Sequence, residues 1–93
     1  MADGGVKRRL FTVRNPLGLH ARPATLLART AGRFSSSIEV RRGRQAANGK
    51  SVLNLMMLAA EAGAVLEVLA DGEDSEEALD ALEALFEDGF GEG

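Results

Sequence analysis

The sequence predicts an α+β fold with the element order β-α-β-β-α-β-α and its helices gathered on one face of a sheet. Three observations carry this reading. Residues 8–14, 36–42 and 64–70 alternate their side chains with the period of a half-buried strand. Residues 24–31 and 78–86 repeat apolar side chains at three and four positions, the period of an amphipathic helix. Finally, the chain has 93 residues and no cysteine, enough for one domain whose core must hold without disulfides.

The elements follow in order. In RRLFTVR, residues 8–14, Phe11 and Val13 face one side of a strand and Thr12 the other. Asn15-Pro16 and Gly18 break it. Ala24, Leu27, Ala28 and Ala31 then form a helical stripe, with Leu26 at its flank and Pro23 in the first turn, where a missing N–H costs nothing. Gly32 is expected to close this helix in the left-handed conformation. Ile38 and Val40 mark the second strand, Gly43 a reversal, and residues 44–48 a short edge strand weakened by Ala46 and Ala47. Ser51 is placed to cap a short, largely apolar helix ending at Ala62-Gly63. Leu66, Val68 and Ala70 face one way from the last strand; Val65, Glu67 and Leu69 face the other. After the Asp71-Gly72 turn, Asp74 with Glu77 reads as a capping-box-like start to the final helix. Its core stripe is Leu79, Leu82 and Phe86 with Ala78 and Leu85. The glycine-rich tail beyond Asp88 is expected to be mobile, with Phe90 available to pack back. The whole is one domain, 1–93, with flexible ends at 1–6 and 89–93.

The formal charge of −3 conceals a division. Residues 1–50 hold all eleven Lys and Arg and two acids, +9; residues 51–93 hold twelve acids and no base, −12. A basic half can serve nucleic acid. RNA-binding sheets of this size present aromatic stacking residues, however, and this chain has no Tyr or Trp and only four Phe. No nucleic-acid partner is therefore expected, and a small nucleic-acid-binding module is the less favoured alternative. A single His and no Cys exclude zinc fingers, zinc hydrolases and thiol redox chemistry. The acids at 71–77 lack the spacing of a calcium loop, GFGEG lacks the strand and helix of a nucleotide fingerprint, and no hydrolytic triad can be assembled. No cofactor or metal is expected. The longest uncharged apolar stretch falls well short of the ~20 residues of a membrane span, and residues 1–7 lack the apolar core of a signal peptide. A cytoplasmic protein without membrane insertion is the expectation.

His20 is the only histidine, and it stands where a loop enters a helix. Imidazole can take up a phosphoryl group, a helix N-terminus offers unpaired N–H groups to a dianion, and Arg22 adds a guanidinium. Pro23 fixes the first turn. The plainer reading is a histidine that caps the helix.

Gly18-Leu19-His20-Ala21-Arg22-Pro23-Ala24 resembles the phosphohistidine signature of the HPr family, the phosphocarriers of the bacterial phosphoenolpyruvate-dependent sugar phosphotransferase system. Lys50-Ser51-Val52-Leu53-Asn54-Leu55-Met56-Met57-Leu58 is similar to the family's serine-phosphorylation signature, at the family's usual separation from the first. The likeness runs from about Lys7 to the C-terminus, and Gly-Phe-Gly-Glu resembles the tails of Gram-positive-type members. Gly32 stands where relatives often carry lysine, with Arg33 beside it.

The resemblance implies an open-faced sandwich: a four-stranded antiparallel sheet with three helices on one face. It implies that His20 accepts a phosphoryl group on Nδ1 from phospho-enzyme I and passes it to a sugar-specific enzyme IIA, a stoichiometric carrier rather than an enzyme. Arg22 would steady the group and Pro23 shape the helix start. Ser51 would be the site of an HPr kinase/phosphorylase, which would also bring in a catabolite-control transcription regulator as partner. Val52, Leu53 and Met56 are expected to dock enzyme I and enzyme IIA, where ordinary core packing is the alternative. A carrier in a regulatory, nitrogen-type relay would share the His20 chemistry. A monomer is expected, because a shuttle must leave its binding face open.

Overall fold

The structure, a computed structural model, describes residues 5–92. Strand β1 (Val6–Thr12) leads to helix α1 (Ala21–Gly32), then to the hairpin of β2 (Ser37–Arg42) and β3 (Gln45–Asn48). Helix α2 (Val52–Met57), strand β4 (Val65–Asp71) and helix α3 (Ser75–Glu87) complete the expected order, and a 3-10 turn (Gly89–Gly91) follows.

The strands form one antiparallel sheet in the order β1-β4-β2-β3. Because side chains alternate along a strand, register decides which of them meet. Phe11 lies beside Leu66, Ile38 beside Ala70, and Val40 between Val68 and Ala47. All seven are buried, and with Leu27, Ala31, Leu55, Leu79, Leu82 and Phe86 from the helices they make one core. The other face of the sheet leaves Val6, Leu10 and Val65 exposed. Charge crosses the helix side as well. Arg9 reaches Glu76, Asp80 and Glu83 of α3 at 2.7–2.9 Å, and Lys7 reaches Glu76 at 3.2 Å.

Several details differ from expectation. Gly32 stays inside α1, and the cap, Arg33, has φ −78°. The N–H groups of Arg33 and Phe34 donate to the carbonyls of Thr30 and Ala31, so the last turn tightens and no left-handed residue is needed. Helix α2 stops at Met57, five residues early, and Ala59 takes φ +50°. Its final carbonyls have partners elsewhere: Arg42 donates to Leu58 O at 3.1 Å and Ala59 O at 2.7 Å. Asp74 precedes α3 but makes no side-chain cap. Its carboxylate turns to the start of β2, accepting from the N–H groups of Ser35 and Ser36 and from Ser36 Oγ. These bonds, led by that of the Ser36 hydroxyl, hold the carboxyl down at about 2 against an ordinary 3.8.

The segments 1–6 and 89–93, expected to be flexible ends, each include a residue with defined neighbours. Val6 pairs with Asp71 in the sheet. Phe90 is buried, with its ring 4.9 Å from that of Phe86 in an edge-on arrangement. Burying an aromatic ring contributes about 2 kcal/mol, enough to hold a short tail. Residues 1–4 and 93 lie outside the described part of the chain.

Candidate functional site

The site begins with a loop tied by hydrogen bonds at both Asn15 and Leu19. Asn15 is fully buried, and its Nδ2 donates to Gly18 O at 2.6 Å. Gly18 N–H returns a bond to Asn15 O at 3.1 Å, and Gly18 has φ +74°. Leu19 is buried and donates its N–H to Ala60 O at 2.8 Å, fastening the loop to the segment after α2.

His20 comes next, as the N-cap of α1, with φ −82° and ψ −168°. Its side chain makes no capping bond, so the plainer reading, a histidine that caps its helix, does not describe the ring. The first intrahelical bond runs from Ala24 N–H to His20 O at 3.0 Å. The N–H groups of Ala21 and Arg22 precede it and have no acceptor within the helix, while Pro23 has no N–H to offer. No acid occupies this first turn. The result is a site of positive potential beside an imidazole that is about one-third exposed.

The imidazole is held from the far end of the chain. His20 Nε2 lies 2.9 Å from Glu92 Oε2 and 3.1 Å from Oε1. Asn15 Nδ2 also donates to Glu92 Oε1, at 2.9 Å. Burial pushes the Glu92 carboxyl upward, but the bonds from His20 and Asn15 and the charges of His20 and Arg22 outweigh it, and the net shift is downward. An ionised carboxylate can only accept, so the bond between them has Nε2 as its donor. Arg22 is exposed on the first turn and contributes charge at this point.

Helix α2 supplies the second feature. Ser51 Oγ accepts from Asn54 N–H at 3.2 Å, the capping bond expected of it. Of the three residues expected to dock partners, Leu53 is 69% exposed, Met56 is exposed and Val52 is half-buried against the core. Met57 is 69% exposed beside them, and Leu55 and Leu58 turn inward. Core packing therefore accounts for Leu55 and Leu58 and leaves Leu53, Met56 and Met57 without a partner.

Sequence reasoning placed His20, Arg22 and Pro23 together and placed Ser51 at a helix start. It missed Glu92 and Asn15. Asn15 read as a strand breaker, and Glu92 fell in a tail taken as mobile. The available signal was Phe90, a lone aromatic between glycines with an acid two residues on. Among the described residues no cluster of His, Asp or Glu is arranged to hold a metal ion, and no helix is long and apolar enough to cross a membrane.

Comparison with known proteins shows the family of the chain. The family model described as the PTS HPr component phosphorylation site matches residues 7–88. The chain is 44% identical over 82 residues to the phosphocarrier protein HPr of Cupriavidus necator, covering 88% of this chain and 92% of that one. It is 43% identical over 84 residues to the phosphocarrier protein NPr of Shewanella violacea, covering 90% and 92%. The crystal structure of HPr-C-His from Thermoanaerobacter tengcongensis superposes with a TM-score of 0.89 at 42% identity, covering 94% of this chain and 98% of that one. With likeness of this extent in sequence, sheet topology and helix order, the chain belongs to the HPr family of phosphotransferase-system phosphocarriers.

Proposed function

We propose that this protein carries a phosphoryl group on His20 Nδ1, taken from phospho-enzyme I and delivered to a sugar-specific enzyme IIA. The observation that carries the reading is the pairing of an imidazole, bound at Nε2 by Glu92, with the two unpaired N–H groups of Ala21 and Arg22. The Nδ1 lone pair forms the new bond to phosphorus as the bond to the donor imidazole breaks in line. The helix N-terminus and Arg22 offset charge on the phosphoryl oxygens. Pro23 sets the first turn and leaves the two preceding amides free. The protein is a stoichiometric carrier that binds no cofactor, works in the cytoplasm and acts as a monomer.

Leu53 and Met56, with the exposed part of Val52, serve as the docking patch for enzyme I and enzyme IIA. Three of the large apolar side chains on α2 lie exposed in a helix of six residues, which supports that role. Phosphorylation of Ser51 by an HPr kinase/phosphorylase would place a dianion at the start of α2, beside that patch. The charge suits the helix end, where it leaves the fold intact, but opposes docking. The doubly phosphorylatable protein would then also meet a catabolite-control transcription regulator. A nitrogen-type regulatory relay is the second reading, and the likeness to an NPr protein at 43% identity is what favours it.

The deciding experiment mixes the protein with phosphoenolpyruvate and catalytic enzyme I. An acid-labile, base-stable phosphate should appear on the wild type and be absent from His20→Ala. An unlabelled wild type beside an active enzyme I, or equal labelling of the variant, overturns the assignment.

A further inference from the structure

We propose that Arg42 is a positioning residue for phosphoryl transfer, which fixes the carbonyl of Ala60 and, through it, the backbone that delivers His20. The proposal rests on the assignment of His20 as the phosphoryl acceptor.

Arg42 ends β2, and its guanidinium crosses to the chain that leaves α2. Nη1 donates to Leu58 O at 3.1 Å and to Ala59 O at 2.7 Å, and Nη2 donates to Glu61 Oε1 at 2.6 Å. Three bonds from one planar fork set the direction of the segment as well as its place. The segment needs that grip. Ala59 has φ +50°, a backbone region that persists in a non-glycine residue only where the surroundings determine it. The Glu61 carboxyl is held below its ordinary value, first by its own backbone N–H and then by Arg42.

Ala60 lies between the two residues that Arg42 holds. Its carbonyl accepts from Leu19 N–H at 2.8 Å, and Leu19 is the residue before His20. Both Leu19 and Ala60 are buried. Further on, Gly63 N–H donates to Val13 O at 2.8 Å and Val13 N–H to Ala64 O at 2.9 Å. Residues 58–64 therefore run between Arg42 on one side and the chain of residues 13–19 on the other.

The consequence is geometric. Leu53, Met56 and Met57 stand exposed on α2, and His20 begins α1. A partner seated on α2 meets the imidazole in line only if the end of α2 and the His20 loop keep one spacing. Arg42 grips the first directly and the second through Ala60 and Leu19. Without it the docking side chains stay in place while the ring loses its fixed position. The transfer step then slows more than binding weakens.

The test compares Arg42→Ala and Arg42→Lys with the wild type. The Arg42 side chain is 30% exposed and lies outside the core, so its truncation leaves no core cavity. Amide hydrogen exchange at Leu19 should quicken about tenfold in Arg42→Ala. Ala78 in α3, whose N–H donates to Asp74 O at 2.9 Å, should stay within about twofold. Arg42→Lys keeps a cation that can donate to the same carbonyls, and its Leu19 rate should fall between the two. Phosphorylation of Arg42→Ala by enzyme I should show kcat about tenfold lower with KM within about twofold. An unchanged Leu19 rate, or equal acceleration at Leu19 and Ala78, overturns the proposal. So does a raised KM with unchanged kcat, which would make Arg42 a docking residue. If the wild type takes no phosphate beside an active enzyme I, the carrier assignment fails instead, and exchange at Leu19 still decides whether Arg42 holds the loop.

Discussion

Leu19 donates its backbone N–H to the carbonyl of Ala60 at 2.8 Å, and that bond joins the loop carrying His20 to the segment that leaves α2. Gly18, the residue before Leu19, makes the bond possible. It has φ +74°, and a Cβ at this position would overlap the Ala60 carbonyl. Gly18→Ala should therefore cost about 2–4 kcal/mol, left-handed strain and backbone clash together. Urea denaturation should show a lower midpoint with an unchanged slope. An alanine variant as stable as the wild type would mean that the loop moves freely away from Ala60.

The carboxylate of Asp74 sets a pH window for stability. Its folded value of about 2 lies below the ordinary 3.8 of an unfolded aspartate. Unfolding therefore takes up a proton at this group between those values. Its contribution is complete above about pH 5 and is lost as pH falls from about 4 through 2. Asp74→Asn should be less stable than the wild type at neutral pH, and the gap should close in acid. Thermal melts of the two proteins from pH 7 to pH 2 measure this; a gap that stays constant would show that the Ser35 and Ser36 bonds carry no charge-dependent part.

Met56 is exposed on α2 and Leu55 beside it is buried, so the two positions separate docking from packing. Met56→Glu should slow phosphorylation by enzyme I about tenfold, the effect of roughly 1.4 kcal/mol of lost contact and desolvated charge. Its melting temperature should stay within about 3 °C of the wild type, as for other exposed substitutions. Leu55→Ala should instead cost about 2–4 kcal/mol by leaving a cavity. An unchanged transfer rate in Met56→Glu would remove α2 from the docking surface.

Ion pairing sorts the cations by face. Lys7, Arg8 and Arg9 of β1 meet acids of β4 and α3, and Arg41 and Arg42 meet Glu39 and Glu61. Helix α1 carries Arg22 and Arg29 with no acid of its own, and Arg33 caps it. Among the described residues six cations have no ion pair, Arg14, Arg22, Arg29, Arg33, Arg44 and Lys50, and three of them lie on or next to the helix His20 begins. Raising ionic strength from about 0.05 to 0.5 M shortens the screening length from roughly 14 to 4 Å and should slow exchange with enzyme I about tenfold. Stopped-flow or quench-flow rates across that range would show it; rates independent of salt would leave no steering role for α1.

Much of this was legible in the sequence because periodicity reports burial. Ile38 with Val40, Leu66 with Val68, and Leu79 with Leu82 and Phe86 all lie in the core where their spacing put them. His20, Arg22 and Pro23 were legible because they are adjacent along the chain. What the sequence hid were contacts between distant residues. Asp74 looked like a cap because its neighbours are local, whereas its partners, Ser35 and Ser36, come from the start of β2. Glu92 was hidden for the same reason, with Asn15 and His20 more than seventy positions away. Glycine at 32 favoured a left-handed cap by propensity, but the tightened turn at Arg33 and Phe34 satisfied the carbonyls first.

The sheet order also has a kinetic side. Strand β4 is the last strand along the chain, yet it lies between β1 and β2 and supplies both with partners. The β2–β3 hairpin is the one pairing between neighbours in sequence. Every other strand pairing closes a long loop, whose entropy is lost before the new contacts repay it. Folding should therefore wait on β4, in the range of milliseconds to seconds typical of such topologies. Trimming Val68 in its middle should slow refolding, whereas trimming Phe90, which lies outside the sheet, should chiefly quicken unfolding. On this topology the strand made last should set how fast the fold assembles, and the tail that reaches His20 should set how long the finished site persists.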